Sequence, residues 1–321
     1  MKDPHPTLED VRSAASRIRE TALLTAVRRS EALSAEAGVP VWLKLECEQE
    51  TGSFKVRGAA NALLQLTSAE REAGVVAVSS GNHGRAVAFV AGRLGMAATI
   101  CISSRVPQVK VEAMEALGAE VIVAGPAQDD ADVAARRLVE RGRIFIHPFD
   151  DPRVIAGQGT IGLELLDQVP GLEHVVVPLS GGGLAGGIAL AVKAIEASVR
   201  ITGVSQDRGP AMVRSMEAGH LVDVVEEDTL ADALAGGLGP ENHHSFDLCG
   251  SLLDGTELVS EHEIAGAMAL LNREEKLIVE GGGAVGVAAL LSGRLRPSGS
   301  TAVIISGGNV APEALAEVLA G

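Results

Sequence analysis

Short apolar runs alternate with helix-period segments along almost the whole chain, and this alternation restricts the possible folds more than any other feature of the sequence. Four runs have the length and residue types of buried strands, at residues 75–79, 98–102, 120–123 and 144–146. Three segments between them have helical spacing, at residues 85–94, 106–117 and 130–141. Strands that alternate with helices of this length form parallel βαβ units. We therefore predict an α/β protein.

A second series of the same kind follows. Its strands are predicted at residues 174–178, 201–205 and 302–306, and its helices at 186–197, 284–291 and 312–320. A helix at residues 8–21 and a strand at 41–45 belong to neither series and must pack on one of the sheets. We predict two open, mainly parallel sheets flanked by helices, one within residues 65–149 and the other from about residue 150 onward. Such sheets bind ligands where their strands end, so the site is expected in the crevice between the domains.

Composition argues against several classes of function. The chain has 27 lysines and arginines against 42 acidic residues, a net charge of −15, and only five Phe, one Trp and no Tyr. Without a basic cluster or aromatic stacking platforms, a nucleic-acid partner is not expected. No apolar run reaches the ~20 residues of a membrane span, and the polar N-terminus is unlike a secretion signal. Three scattered cysteines, at positions 47, 101 and 249, form no zinc or disulfide pattern, so we predict a cytoplasmic protein.

The first of three glycine-rich loops, residues 79–84 (SSGNHG), lies between a predicted strand and a predicted helix. One serine or asparagine there would be an ordinary helix cap. This loop has several polar side chains in addition to the N–H groups of the helix terminus. Together they suit an anion such as a carboxylate. We therefore predict an anion-binding function for residues 79–84.

The second loop, residues 180–187 (SGGGLAGG), has three successive glycines that let the backbone close on a phosphate. It has neither the ending of a nucleoside-triphosphate loop nor the spacing of a dinucleotide site, so we expect a smaller phosphate-bearing cofactor. In the third loop, residues 306–309 (SGGN), Ser306 either caps the last helix or contacts a ligand. Glu280 precedes a further glycine run and is a candidate for the same crevice.

Lys55, within TGSFKVRGA, is the candidate reactive amine. Most lysines lie on solvated helix faces. A lysine that forms imines must instead be partly desolvated, so that its amine can lose the proton. Small residues on both sides of Phe54 and Lys55 suit a close-packed site of that kind.

These motifs, TGSFKVRGA, SSGNHG, SGGGL and SGGN, stand in the order typical of pyridoxal-phosphate enzymes of the tryptophan-synthase-β fold. Essentially the whole chain resembles the threonine/serine dehydratase and serine racemase family. Within it, the stretch from LADALAGGLG to EEKLIVEGGGAVGVAALL is most similar to the dehydratase associated with hydroxyectoine breakdown. The resemblance implies pyridoxal 5'-phosphate as cofactor, fold type II and a homodimer. It also implies a large cofactor-binding domain of residues 1–64 and 150–321, and a small domain of residues 65–149 that has the carboxylate-binding loop.

The resemblance further implies a role for each motif residue. Lys55 binds the cofactor covalently, Phe54 packs against its ring, and Ser306 contacts the pyridine nitrogen. Asn82 hydrogen-bonds the ring's phenolic oxygen. The other cofactor-binding residues are Ser180, Gly181, Gly182, Gly183, Leu184 and Glu280. The substrate carboxylate is bound by Ser80, Gly81, Asn82 and His83, and Ser80 joins Lys55 as a catalytic residue.

Two positions depart from the family's pattern. Ser180 stands where the family usually has a fourth glycine. Ser205 stands where the family's divalent-metal site has an acidic residue, and Arg208 brings a positive charge close by. A cation site needs several oxygen ligands, usually with a carboxylate among them. We therefore predict no metal site, unless Asp207 becomes a ligand.

The implied activity is a lyase reaction on a small-molecule amino acid. Water and then ammonia are removed from a β-hydroxy-α-amino acid, threonine- or serine-like or hydroxyectoine-derived, to give a 2-oxo acid. A neutral serine at the pyridine nitrogen favours expulsion of a β-leaving group. One alternative is an amino-acid racemase such as a serine racemase, with Ser80 as the second proton carrier opposite Lys55. A more remote one is a non-catalytic ligand-binding relative.

Overall fold

The computed structural model describes residues 4–239 and 242–320. Its strands, β1 to β10 in chain order, are Val27–Arg29, Val41–Lys44, Val75–Val78, Ala98–Ile102, Glu120–Val123, Ile144–Phe145, His174–Pro178, Arg200–Gln206, Gly255–Val259 and Thr301–Ile304. Its α-helices, α1 to α14, are Leu8–Ile18, Glu31–Ala37, Lys55–Leu64, Ser68–Ala73, Asn82–Arg93, Gln108–Glu115, Gln128–Glu140, Pro152–Gln168, Gly183–Ile195, Ala211–Ala218, His244–Leu252, Glu261–Arg273, Gly281–Leu291 and Pro312–Ala320.

The strands form two sheets. The larger has the order β1-β2-β10-β7-β8-β9, in which only the β1–β2 pair is antiparallel. The smaller has the order β5-β4-β3-β6 and is entirely parallel. Two mainly parallel sheets flanked by helices confirm the predicted fold class. All strands of the small sheet lie between Val75 and Phe145, while the domain boundaries after residues 64 and 149 stay a prediction.

The two sheets have separate apolar cores. One core consists of the small sheet's β3 and β4 together with α3 and α5, and includes Val75, Ile100 and Val87. The larger sheet has a core on each face, one against α12 and α13 and the other against α8 and α9. Loops from the two sheets approach each other where their strands end, because Asn82, after β3, bonds Glu280 and also Asn309, after β10; we call the region between these loops the crevice.

Four charged side chains meet beside the first turns of α3. The guanidinium of Arg57 donates to both oxygens of Glu46 at 2.8 Å, and also to the carboxylate of Glu164. The Lys44 amine pairs with Glu164 as well. Arg57, Glu46 and Lys44 are fully buried, and a buried charge is tolerated only when it is paired. The cluster therefore joins α3 to the end of β2 and to α8.

Among the residues that the structure describes, no helix is both long and apolar enough to cross a membrane.

Candidate active site

Lys55 is the first residue of α3, and its side chain is directed into the crevice. The amine donates a 2.7 Å hydrogen bond to the carbonyl of Pro148 and lies 5.2 Å from the centre of the Phe54 ring. Burial lowers the pKa of the Lys55 amine to about 8, although the nearby Glu280 carboxyl opposes the shift. About a tenth of this amine is therefore neutral at pH 7, far more than for an ordinary lysine, and the neutral form is the one that a nucleophile or a base requires.

The segment before Lys55 is hydrogen-bonded to the predicted SGGN loop. The N–H of Phe54 donates to the carbonyl of Ser306 at 3.0 Å, and the N–H of Gly308 donates to the carbonyl of Gly52 at 2.9 Å. Ser306, at the end of β10, is buried. The structure thus brings Ser306 close to Phe54 and Lys55, as the sequence analysis expects.

Residues 180–184, which we call the glycine loop, join β7 to α9. Helix α9 begins at Gly183, three residues earlier than predicted, so Gly183 and Leu184 lie in its first turn. Gly182 has a φ of +84°, a conformation that favours glycine. The first N–H groups of a helix lack intrahelical acceptors, and the first turn of α9 has no acidic side chain to neutralise them. Together with the half-exposed Ser180, the loop is suited to a phosphate group.

The glycines of this loop also have a packing role. A Cβ at Gly181 would lie 2.3 Å from the ring of Phe149, and a Cβ at Gly183 would lie 2.6 Å from the Phe149 carbonyl oxygen. Neither distance is possible without movement of the neighbouring segment. The triplet therefore serves close packing as well as anion binding, which the sequence analysis did not anticipate.

Residues 79–84, which we call the carboxylate loop, lead into α5. This helix begins at Asn82 and not at residue 85, so Asn82 and His83 have N–H groups of a helix N-terminus. The N–H of Gly81 is used within the loop, because it donates to the Ser79 hydroxyl at 3.2 Å. Ser80 is half-buried in the same turn. The geometry suits a carboxylate.

The His83 ring is buried, and its Nε2 lies 2.9 Å from the carbonyl oxygen of Ile146. Burial lowers the pKa of His83 to about 3, so the ring is neutral and Nε2 carries its proton. The remaining nitrogen, Nδ1, then has a lone pair and cannot donate to a carboxylate. The contact between His83 and the substrate carboxylate stays a prediction. These observations favour the main-chain N–H of His83, and not its ring, as the donor of that hydrogen bond.

Glu280, Asn82 and Asn309 form a polar chain across the crevice. The Asn82 amide donates to the Glu280 carboxyl at 2.6 Å and accepts from the Asn309 amide at 2.6 Å. Burial and the neighbouring Asp232 raise the pKa of Glu280 to about 7. The second hydrogen of Asn82 Nδ2 is the one that the predicted bond to the phenolic oxygen would use. Asn309 was not predicted as a site residue, although it ends the SGGN motif.

Two buried polar atoms in this region have no partner among the described residues, the Ser53 hydroxyl and His83 Nδ1. Buried polar atoms are normally satisfied, so unpaired ones beside a reactive amine indicate a ligand site. The residues present fit pyridoxal phosphate. The glycine loop would hold its phosphate, Lys55 its aldehyde carbon and Ser306 its pyridine nitrogen.

Sequence reasoning missed residues 147–150, which we call the histidine segment. It follows β6, at the same end of the small sheet as the carboxylate loop, and contributes Pro148 to Lys55 and Phe149 to the glycine loop. Both oxygens of Asp150 accept main-chain N–H groups at the start of α11, from His243 and Ser245. The sequence feature that could have indicated a site here is that the segment directly follows a short strand of the parallel sheet, where such sheets bind ligands.

At the end of β8, the Ser205 hydroxyl is buried and donates to Gln206. Arg208 donates to the carbonyl of Asp228 at 2.6 Å, one of the loop-carbonyl contacts that a guanidinium can make in place of a cation. Among the described residues, no group of three or more His, Cys, Asp or Glu side chains is placed to hold a metal ion. Independence from divalent cations stays a prediction.

The fold and the site define a class of protein, and comparison with known proteins agrees with it. The model of the pyridoxal-phosphate dependent enzyme family matches residues 18–307, and the chain belongs to this family. Pyridoxal phosphate is accordingly its cofactor.

Particular relatives are also similar over nearly the full length. A Sinorhizobium fredii protein, provisionally named a threonine dehydratase, is 49% identical over 95% of this chain and 92% of its own. The L-threonine ammonia-lyase of Thermotoga maritima is 42% identical over 95% of this chain and 76% of its own. The structure of maize serine racemase superposes with a TM-score of 0.93 at 34% identity, covering 99% of this chain and 98% of the other.

Proposed function

We propose that the protein is a pyridoxal-phosphate-dependent ammonia-lyase that eliminates water from a threonine- or serine-like amino acid and releases a 2-oxo acid and ammonia. The observation that supports this most directly is the position of the Lys55 amine. It has a pKa of about 8, bonds the carbonyl of Pro148, whose neighbour Phe149 packs on the glycine loop, and is close enough to His83 of the carboxylate loop to lower the pKa of that ring. The similarity to L-threonine ammonia-lyases agrees with this substrate class.

The bound cofactor supplies an electron-withdrawing ring that acidifies the α-carbon of the amino acid. The N–H groups of Asn82 and His83 hold the substrate's carboxylate and thereby orient the α-hydrogen. Neutral Lys55 takes that proton. Ser306 would be an uncharged neighbour of the ring and would therefore favour loss of the β-hydroxyl, which leaves as water together with the proton that Lys55 has taken. The enamine that is released reacts with water to give the 2-oxo acid and ammonia.

Racemisation is the second candidate, and the likeness to maize serine racemase favours it. It requires a proton donor on the face of the α-carbon opposite Lys55. Ser80, half-buried in the carboxylate loop, is the residue that we propose for that role. A non-catalytic ligand-binding relative is the remaining alternative, and the lowered pKa of Lys55 argues against it.

Two measurements test the proposal. The purified protein should show the visible absorption of a lysine-bound pyridoxal phosphate. A panel of L- and D-threonine, L- and D-serine and bulkier β-hydroxy amino acids should then be assayed for 2-oxo acid, ammonia and inversion at the α-carbon. Ammonia and 2-oxo acid released in equal amounts would support a lyase. Inversion without ammonia would favour the racemase, and a protein without the visible band would be the ligand-binding relative.

Four finer statements are proposals of the same kind. The similarity to the dehydratase associated with hydroxyectoine breakdown suggests a hydroxyectoine-derived substrate, and the bulkier amino acids of the panel test this. The protein is a cytoplasmic homodimer, which sedimentation and cell fractionation test. The large domain comprises residues 1–64 and 150–321 and the small domain residues 65–149, which limited proteolysis tests.

A further inference from the structure

His147 makes two hydrogen bonds that shape its own segment. Its Nδ1 accepts from the N–H of Asp150 at 2.7 Å and from the N–H of Phe149 at 3.2 Å. Both N–H donors belong to the backbone that directly follows the ring. They close the chain into a turn at residues 147–150, the histidine segment.

The His147 ring also packs against aromatic neighbours on both sides. It stands edge-on to the Phe149 ring, with 4.6 Å between centroids, and to the Phe145 ring, with 6.0 Å between centroids. Burial lowers the pKa of His147 to about 4, so the ring is neutral when the enzyme works near neutral pH. A neutral ring with two N–H groups directed at Nδ1 carries its proton on Nε2. Nδ1 is therefore a permanent acceptor.

The three residues after His147 each contact a different part of the site. The Pro148 carbonyl accepts from the Lys55 amine at 2.7 Å. The Phe149 ring and carbonyl lie against Gly181 and Gly183 of the glycine loop. The Asp150 carboxylate accepts from the N–H of Ser245, whose Cβ lies against Gly182.

We propose that His147 is a positioning residue for the cofactor. By holding the turn at residues 147–150, it sets the distance between the Lys55 amine and the glycine loop, which must engage the aldehyde carbon and the phosphate of the same cofactor molecule. Among the described residues, the hydrogen bonds of the His147 ring go to its own turn and not to Lys55 or the glycine loop. This inference rests on the proposed roles of Lys55 and the glycine loop.

Three substitutions separate the acceptor from the ring. His147→Phe keeps the aromatic packing and removes the acceptor. His147→Asn removes the ring and restores an acceptor, because an asparagine side chain readily accepts from the N–H two residues ahead. His174→Phe is the matched control. His174, the first residue of β7, is also a buried histidine whose pKa is lowered to about 4, and its ring is hydrogen-bonded to Thr202.

The first readout is the dissociation constant of pyridoxal phosphate, measured by titrating apoprotein and following the visible band. Loss of two main-chain hydrogen bonds should weaken binding by about 10-fold in His147→Phe. His147→Asn should stay within about 3-fold of the wild type, because one bond is kept. His174→Phe should leave the dissociation constant unchanged.

The second readout is the far-ultraviolet circular dichroism and melting temperature of each apoprotein. Unchanged spectra with weakened binding in His147→Phe, and recovery in His147→Asn, would support the inference. Wild-type affinity in His147→Phe would overturn it. Loss of the folded spectrum in His147→Phe would also overturn it, because the role would then be general support of the small sheet. If the wild type formed no visible band, the proposed function would fail instead.

Discussion

At the scale of single residues, the site depends on three side chains whose burial changes their chemistry. Burial lowers the pKa of Lys55 to about 8, lowers that of His83 to about 3 and raises that of Glu280 to about 7. In each case the uncharged form is favoured, because charge is costly in a medium of low polarity. Near neutral pH the site therefore holds a neutral imidazole, a carboxyl that is half protonated and an amine that loses its proton far more readily than an ordinary lysine.

Lys55→Ala should abolish both the visible band and turnover. The amine is the only group proposed to bind the cofactor covalently and to take the α-proton, so no neighbour compensates for its loss. Absorption spectra and 2-oxo acid release measure the two effects. Lys193→Ala is a suitable control, because Lys193 pairs with Asp254 on the far side of α9. Near-normal elimination by Lys55→Ala would refute the assignment.

Ser80→Ala should lower racemisation more than elimination if the enzyme is primarily a dehydratase. Only racemisation needs a proton from the face opposite Lys55. Parallel assays of D-amino-acid formation and 2-oxo acid formation, with one substrate, measure the ratio. Equal losses would mean that the Ser80 hydroxyl mainly positions the carboxylate.

Glu280→Gln should remove a pH dependence from the stability of the apoprotein. The pKa of the folded-state carboxyl, about 7, lies above its ordinary value of 4.5, so Glu280 favours folding below pH 4.5 and this contribution is lost as the pH rises through 7. Glutamine keeps the acceptor for Asn82 without ionising. Urea unfolding of both proteins at pH 5 and pH 8 measures this. Relative to the wild type, the free energy of unfolding of Glu280→Gln should be higher at pH 8 than at pH 5 by up to ~3 kcal/mol. Parallel behaviour of the two proteins would show that Glu280 titrates normally.

At the scale of elements, the sequence predicted eight of the ten described strands, including both edges of the small sheet, and missed both edges of the larger sheet. Strands β3, β4 and β7 consist mostly of valine, isoleucine and alanine, and short apolar runs of that kind can be identified from the sequence alone. Edge strand β1 has three residues, two of them arginine, and β9 has a mixed sequence, so neither was predicted. Helices α5 and α9 both begin three residues earlier than predicted, because their first turns consist of the loop residues that the sequence analysis assigned to ligand binding.

The candidate site was predictable where its residues form motifs. Lys55, the glycine loop, the carboxylate loop and Ser306 are brought together as expected, although their contacts with the cofactor stay predictions. Ser53, Asn309 and the histidine segment were missed as site residues. Their parts depend on main-chain hydrogen bonds and on contacts between distant segments, such as Lys55 with Pro148, 93 residues apart. Local pattern does not encode such contacts.

Gly183→Ala should weaken cofactor binding by about 10-fold or more, since its methyl group would push the Phe149 carbonyl away from the first turn of α9. Titration of apoprotein with pyridoxal phosphate measures the effect. Gly250→Ala is the matched control, because Gly250 lies on α11 with open space around it and alanine is the better helix former. An unchanged dissociation constant for Gly183→Ala would contradict the packing role given to this glycine.

At the scale of the whole molecule, the two sheets meet through few polar contacts. Besides the bonds that join Asn82 to Glu280 and to Asn309, a second contact pairs the Lys110 amine with Asp232 at 3.2 Å. This second pair is exposed and contributes little to stability. The relative placement of the two halves therefore depends mainly on the buried segments near Lys55 and on whatever occupies the crevice.

Removal of divalent cations should leave the enzyme active and its melting temperature unchanged. Strand β8 has Ser205 near its end, where a carboxylate ligand is expected, and the positive charge of Arg208 in the following loop disfavours a cation nearby. Dialysis against a chelator, followed by assays and melts with and without magnesium, tests this. A large loss that magnesium alone restores would show that Asp207 or neighbouring carbonyls form a cation site after all.

The buried charges around Arg57 have a consequence for the order in which the chain is made. Glu46 and Arg57 leave the ribosome close together, but Glu164, which neutralises Lys44 and completes the contacts of Arg57, follows Arg57 by 107 residues. The small sheet is synthesised in that interval. Until α8 appears, α3 cannot bury its charges at the end of β2, because an unpaired ion keeps its water. A nascent chain therefore exposes no ordered reactive lysine until α8, which follows the small sheet in the sequence, has been translated.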